Sequence, residues 1–217
     1  MKLPLAISLT SIVIGFSFAA SAAPVTYSGI TFPDGDVSFA DSVVSYSPGP
    51  NVDPPYNNSS RALGPPDGPG TSLGNGSEGD ITDASLILRF DDNSLTPSGD
   101  STADLHIFEG GPAVEEMEIS ISKDGQAWIF LGLLEGQPTS IDIDGTAGVA
   151  PGDLFRFVRL SDAGEGASGS PFGGADIDAV GAISSSFDVP DIPQIAAPAA
   201  LPLLGLGLAA LVAYRRR

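Results

Sequence analysis

Short runs in which apolar and polar residues alternate recur along the middle of the chain, separated by clusters of glycine, proline, asparagine and aspartate. Leu86, Leu88 and Phe90 share one parity with Arg89 on the other, and Met117, Ile119 and Ile121 alternate with Glu118, Ser120 and Ser122. A period of two places successive side chains on opposite faces of a strand, so both segments predict sandwich strands with one core face and one wet face. The same reasoning predicts strands over 39–46, 84–90, 103–108, 116–122, 127–134, 139–143, 154–160 and 177–183. Lys123-Asp124-Gly125-Gln126 contains an Asp-Gly turn that folds the run ending at Ser122 back onto Trp128 and Phe130 as a hairpin. Before the C-terminal tail no stretch has the length and period of a helix, and the expected fold is all-β, an antiparallel β-sandwich.

Three stretches read as loops: 47–60, rich in Pro, Asn and Ser; 64–79, with Pro65-Pro66-Asp67-Gly68-Pro69-Gly70; and 163–174, built of glycine and serine. Each is longer than an ordinary connection, which marks it as functional or mobile. Pro190 and Pro193 make 184–194 an extended linker.

The two ends follow a different pattern. Lys2, an apolar run over 5–18 and Ala20-Ser21-Ala22 form the basic, apolar and small-residue regions of a secretory signal helix, with Ala20 and Ala22 marking cleavage after residue 22. At the other end, the 19 residues 195–213 carry no charge, at the lower limit for a helix crossing a hydrocarbon core of about 30 Å. Arg215, Arg216 and Arg217 follow and are expected on the cytoplasmic side of the inner membrane. The expected organisation is a signal peptide over 1–22, a β-sandwich ectodomain over 23–183, a linker over 184–194 and a C-terminal transmembrane segment over 195–217. A plain single-span anchor is one reading of that tail.

Charge narrows the possible partners. All 27 acidic side chains lie between the two targeting segments, where only Arg61, Arg89, Lys123, Arg156 and Arg159 are basic, a net −22. Such a surface excludes nucleic acid as a partner and repels anionic glycans and lipid. It does offer carboxylates to divalent cations, calcium first among them. The chain has no cysteine, so an exported domain of about 170 residues must rely on its core, helped by metal if at all.

Two pairs carry the best calcium chemistry: Asp67-Gly68 in a tight loop, and Asp176 with Asp178 at the start of the last strand, hard oxygen donors from two distant loops. Asp178 falls where a strand buries one face, and an unpaired buried carboxylate is costly. Its partner is either a cation in that site or Arg156 or Arg159. Asp91-Asp92-Asn93 with Asp100 and Asp104 is a second acidic cluster without EF-hand or nonapeptide spacing. Glu109, Glu115, Glu116 and Glu118 raise glycoside hydrolysis as an alternative, but Glu116 and Glu118 read as the polar face of a strand. His106 is the single histidine and lies inside a strand run, and no Gly-x-Ser-x-Gly elbow occurs. Trp128 reads as core, leaving Tyr46, Tyr56 and Phe172 as aromatics for a sugar platform.

Ile195-Ala196-Ala197-Pro198-Ala199, then Leu201-Pro202-Leu203-Leu204-Gly205-Leu206-Gly207-Leu208 and the closing arginines, resemble the PEP-CTERM class of sorting signals in its VPLPA-like variant. Pro198 and Ala199 match that variant; Ala196 stands where it has its first proline and Ala197 replaces leucine. The resemblance implies processing by an exosortase, a membrane enzyme of Gram-negative bacteria that make extracellular polysaccharide, and delivery to the cell surface or matrix. A second resemblance covers about residues 60–183. Ala62-Leu63-Gly64-Pro65-Pro66-Asp67-Gly68, the run Leu86 to Asn93, Asp104 to Glu109, Ile119 to Trp128 and Gly174 to Val180 follow the order of bacterial surface domains with a discoidin-like, galactose-binding-like jelly roll. It implies two antiparallel sheets, a calcium bracing the loops at one end and, in some members, sugar binding on exposed loops. The sequence-level expectation is therefore a non-enzymatic surface protein in a polysaccharide-rich envelope, with a calcium-dependent carbohydrate-binding module as the alternative.

Overall fold

A computed structural model describes residues 22–76, 83–164, 171 and 173–191. The expected signal helix with Ala20, the sorting residues Pro198 and Ala199, the C-terminal helix with Arg215, Arg216 and Arg217, and Phe172 lie outside the described residues. Among the described residues no helix is long and apolar enough to cross a membrane.

The strands are β1 Val25–Tyr27, β2 Ile30–Phe32, β3 Ser42–Ser47, β4 Thr71–Ser72, β5 Ser85–Arg89, β6 Ser94–Leu95, β7 Leu105–Glu109, β8 Met117–Ser122, β9 Trp128–Leu134, β10 Thr139–Ile141, β11 Phe157–Asp162, β12 Asp176–Ala182 and β13 Ser185–Ser186. Two short 3-10 turns, Gly35–Ser38 and Ser59–Ala62, complete the regular elements among the described residues. Among the described residues all strand pairings are antiparallel, in a five-stranded sheet ordered β3-β5-β11-β8-β9, a four-stranded sheet ordered β10-β7-β12-β4, and the two-stranded sheets β1-β2 and β13-β6. The fold is all-β.

One apolar core joins the two sheets. Leu86, Ile119 and Leu160 of the larger sheet and Leu105, Ile107 and Val180 of the smaller are buried in the same cluster, as their alternation requires. A second, aromatic cluster lies against Phe108 and Ala179, formed by Phe32 and Phe39 and flanked by Val25, Tyr27 and Ile30. The Phe32 and Phe39 rings are 4.6 Å apart, and both stand beside Phe108. The hairpin β1-β2 thus packs on the smaller sheet. Gly181 makes room for it, since a Cβ there would meet ring carbons of Phe32 at 2.7 Å and Phe39 at 2.8 Å.

The register of β12 against β7 slips once, so that Ile177 faces Glu109 and Ala179 faces Phe108. Asp178 is the extra residue of this bulge, a device that re-aims a side chain. It brings Ile177 and Val180 into the main core while Ala179 joins the aromatic cluster.

Several positions differ from the alternation. The hairpin β1-β2 consists of three-residue strands too short to show a period, and it forms because aromatic packing holds it. Strand β4 lies inside the expected loop 64–79. Strand β13 lies inside the expected linker, where Ser185 Oγ donates to Asp34 Oδ2 at 2.7 Å, so the first linker residues belong to the fold. Ser120 and Ser122, expected on a wet face, are buried: β8 is an inner strand, Arg159 reaches Ser120, and Ser122 Oγ accepts the Gly125 N–H of the Asp-Gly hairpin loop. Trp128 belongs to neither core cluster; it is half-buried with the Arg159 guanidinium 4.5 Å from its ring.

Candidate functional site

Three buried aspartates tie loop backbones together, and the site grows out of one of them. Asp178 is 4% exposed. Its Oδ1 accepts the N–H groups of Asp67 (3.2 Å) and Gly68 (3.1 Å), and its Oδ2 lies 3.1 Å from the same Gly68 nitrogen. Burial raises the Asp178 pKa, and the two N–H bonds oppose that rise. Neither arginine serves as its partner: Arg156 donates to the carbonyls of Phe90 and Pro190, and Arg159 stacks on Trp128.

Asp162 does the same for three other segments, accepting from Gly76 N (2.8 Å), Gly164 N (3.0 Å) and Ala175 N (3.3 Å). Asp104 accepts from Ser98 N (2.9 Å) and Ile143 N (3.0 Å) at the opposite end of the sheets. Each is a charge-assisted bond from an anion to backbone donors. In a chain without cysteine, these contacts pin loops far apart in sequence.

Above the Asp178 turn opens a cleft of about 600 Å³. Tyr56, Arg61, Asp67 and Asp176 stand on its walls, and Gly70 and Gly110 lie against each other in its lining. A Cβ on Gly70 would meet the Asp176 carbonyl carbon at 2.9 Å, and one on Gly110 would meet Gly70 N at 3.0 Å. Glycine is needed at both places for the loops to approach. Asp176 accepts a hydrogen bond from Ser72 Oγ, and burial pushes its pKa up.

The three expected calcium ligands share one region: the Asp67 side chain meets the Asp178 carboxylate, and Asp176 accepts from Ser72 Oγ. Asp67 and Asp176 line the cleft, while both oxygens of Asp178 are turned to backbone amides beneath it. Among the described residues, the acidic group whose oxygens lie within 4.8 Å of one another is Asp104, Asp142 and Asp144. Asp104 in that group is fully buried and already accepts two backbone N–H groups.

Glu109, at the end of β7, is 7% exposed, and its Oε1 is buried without a hydrogen-bond partner while Oε2 takes a long bond from Glu115 N. Burial first, and then the carboxylates of Glu115, Asp176 and Glu135, push its pKa up to about 8. Glu118 lies in the other sheet, where its charge acts on Arg159. The acids considered for glycoside hydrolysis are thus split between sheets. His106 Nδ1 is 3.0 Å from Ser140 Oγ, and burial lowers the imidazole pKa.

Of the sugar-platform aromatics, Tyr56 lines the cleft. Tyr46 turns inward, its hydroxyl donating to Ser72 O at 2.6 Å, and burial with the Asp176 charge pushes it up to about 12. Nothing local in the sequence marks Arg61; the fold brings it into one cleft with Gly110 and Asp176, which lie far along the chain. Compared with known proteins, the chain matches no family model, no curated protein and no solved structure.

Proposed function

We propose that this protein is a non-enzymatic, exported component of a polysaccharide-rich cell envelope, and that it binds glycan through the cleft at Tyr56. The observation that carries this reading is the cleft's mixture of groups. A sugar offers an apolar ring face and a rim of hydroxyls, and Tyr56 supplies an aromatic surface beside the donor Arg61 and the acceptors Asp67 and Asp176.

The sequence at both ends supports the address. Residues 1–22 read as an export signal, and the PEP-CTERM-like tail implies an exosortase-like processing partner, a stage at the inner membrane, and then the cell surface or extracellular matrix. The two antiparallel sheets around a common core support identification with the jelly-roll, galactose-binding-like class. Calcium is not needed to hold the 67–68 turn in this reading, because Asp178 bonds its amides directly.

Two measurements test the proposal. Intact mass and fractionation of the native protein should give a species cut near Pro198 in the surface or matrix fraction. The full-length protein in detergent should bind one or more immobilised glycans, and should lose binding when Tyr56 is changed to Ala. An uncut protein confined to the inner membrane would overturn the address, and no retention on any glycan would overturn the binding role.

A further inference from the structure

We propose that the open edge of β9 pairs antiparallel with β9 of a second copy of this chain, in a two-fold dimer whose two five-stranded sheets continue as one. This dimer is independent of the glycan-binding role, since no residue of β9 lines the Tyr56 cleft.

Strand β9 ends the five-stranded sheet, and among the described residues its backbone is hydrogen-bonded to β8 alone. It spans seven residues, against six, three and two for β3, β10 and β4, the other edges of the two main sheets. An open row of N–H and C=O groups is a template for another strand, and natural edges guard against this with charge, proline, brevity or a bulge. Trp128–Leu134 has no charged residue and no proline, in a body of net −22. Phe130 adds an apolar side chain that is 56% exposed. The remaining guard is a bulge, and its position favours one particular partner.

Ile129, Leu131 and Leu134 pack toward the core, and Gly132 opposes the core residue Ile119. Phe130 opposes Ser120 and Leu133 opposes Glu118, on the outer face. The register slip between Ile119 and Ser120 leaves Leu131 as the extra residue, so positions 131 and 132 both turn inward. From Ile129 to Leu134 the faces therefore read in, out, in, in, out, in, the same in either direction. A two-fold axis through the 131–132 peptide sets Ile129 opposite Leu134, Phe130 opposite Leu133 and Leu131 opposite Gly132, with like faces matched at every position. Centred on Phe130 instead, the outward Trp128 would oppose the inward Gly132. The chosen register also places Trp128 opposite Glu135 of the second copy. Arg159, which also feels Glu118 of its own chain, has its guanidinium 4.5 Å from that Trp128 ring. Each end of the paired strands thus brings an exposed acid to a cation, twice by symmetry, where two acidic bodies would otherwise repel.

Cysteine trapping tests the register directly, because the chain has no cysteine of its own. Phe130→Cys and Leu133→Cys in one chain lie about 10 Å apart along their own strand, too far to join each other. Across the two-fold they are directly opposite, so oxidation of the full-length protein in detergent should give a covalent dimer linked 130 to 133. Each single-cysteine variant should give at least about tenfold less. Light scattering of the unmodified protein in detergent should find two chains per particle, and Phe130→Lys should give one with an unchanged far-ultraviolet spectrum. Glu135→Lys should weaken the dimer about fivefold or more. Equal trapping of the single variants would show random collision and overturn the register, as would a dimer indifferent to Glu135→Lys. A dimer that survives Phe130→Lys would assign association to another surface and overturn the edge. A monomer with no trapping would overturn the dimer itself.

Discussion

Both carboxylate oxygens of Asp178 lie 3.1 Å from the amide nitrogen of Gly68, a residue 110 positions earlier in the chain. This contact fixes the turn on which Asp67 enters the cleft, and it uses a charge where the sequence suggested a metal ligand. Asp178→Asn keeps the shape but replaces an accepting oxygen with an NH₂ group facing backbone donors. It should lower stability by about 2 kcal/mol. Urea unfolding of the full-length protein should give the same loss in calcium and in chelator; a loss seen only with calcium present would return Asp178 to the metal.

Glu109 makes stability fall with rising pH. Its folded pKa of about 8 lies above the ordinary 4.5, so the folded state holds a proton that the unfolded state releases first. The contribution is complete below about pH 4.5 and is lost as pH rises through about 8, on the order of a few kcal/mol. Unfolding midpoints measured from pH 5 to 9 should decline, and Glu109→Gln should flatten that decline. A Gln variant with the wild-type slope would rule out this residue as its source.

Gly181 is the place to test the aromatic hairpin. Gly181→Ala puts a methyl group against Phe32 and Phe39, and should cost about 1–3 kcal/mol through overpacking. Adding Phe32→Ala should recover part of that cost, because the two sites share one clash. Strict additivity in thermal unfolding would contradict the packing described.

The single tryptophan reports one contact. Arg159→Ala removes the guanidinium 4.5 Å from the Trp128 ring, so it should change tryptophan emission while costing only about 0.5–1 kcal/mol. Arg156→Ala leaves the buried Phe90 carbonyl without the guanidinium that donates to it, and should destabilise more with little change in emission. The reverse ranking would mean that the two arginines have been assigned the wrong roles.

Strand positions were largely legible. Met117, Ile119 and Ile121 repeat at the period of a pleat, and burial of one face follows from that period alone. The hairpin after Ser122 was legible because Asp124-Gly125 is a local turn signal; Asp124 Oδ1 accepts from Gln126 N and Ala127 N within that loop. Trp128 was misplaced, because an apolar residue in an edge strand follows the same alternation whether its face is covered or open. The hairpin β1-β2 is not legible because its Phe32 packs on Phe39 and Phe108 in space left by Gly181, all outside its own six residues.

The candidate site was legible only in part. Asp67, Asp176 and Asp178 lie at one end of the fold, and the tertiary structure sets the direction of each carboxylate. A bulge at Asp178, one slip in register, decides that this carboxylate points at amides instead of into the cleft.

By itself, then, the sequence determined an all-β protein and a net acidic body, since these depend on period and charge count. Only the tertiary structure decided which aspartates brace loops, which line the cleft, and that Arg61 stands among them. Those outcomes depend on where distant strands come into register and on the resulting loss of water around each carboxylate, which no local pattern encodes.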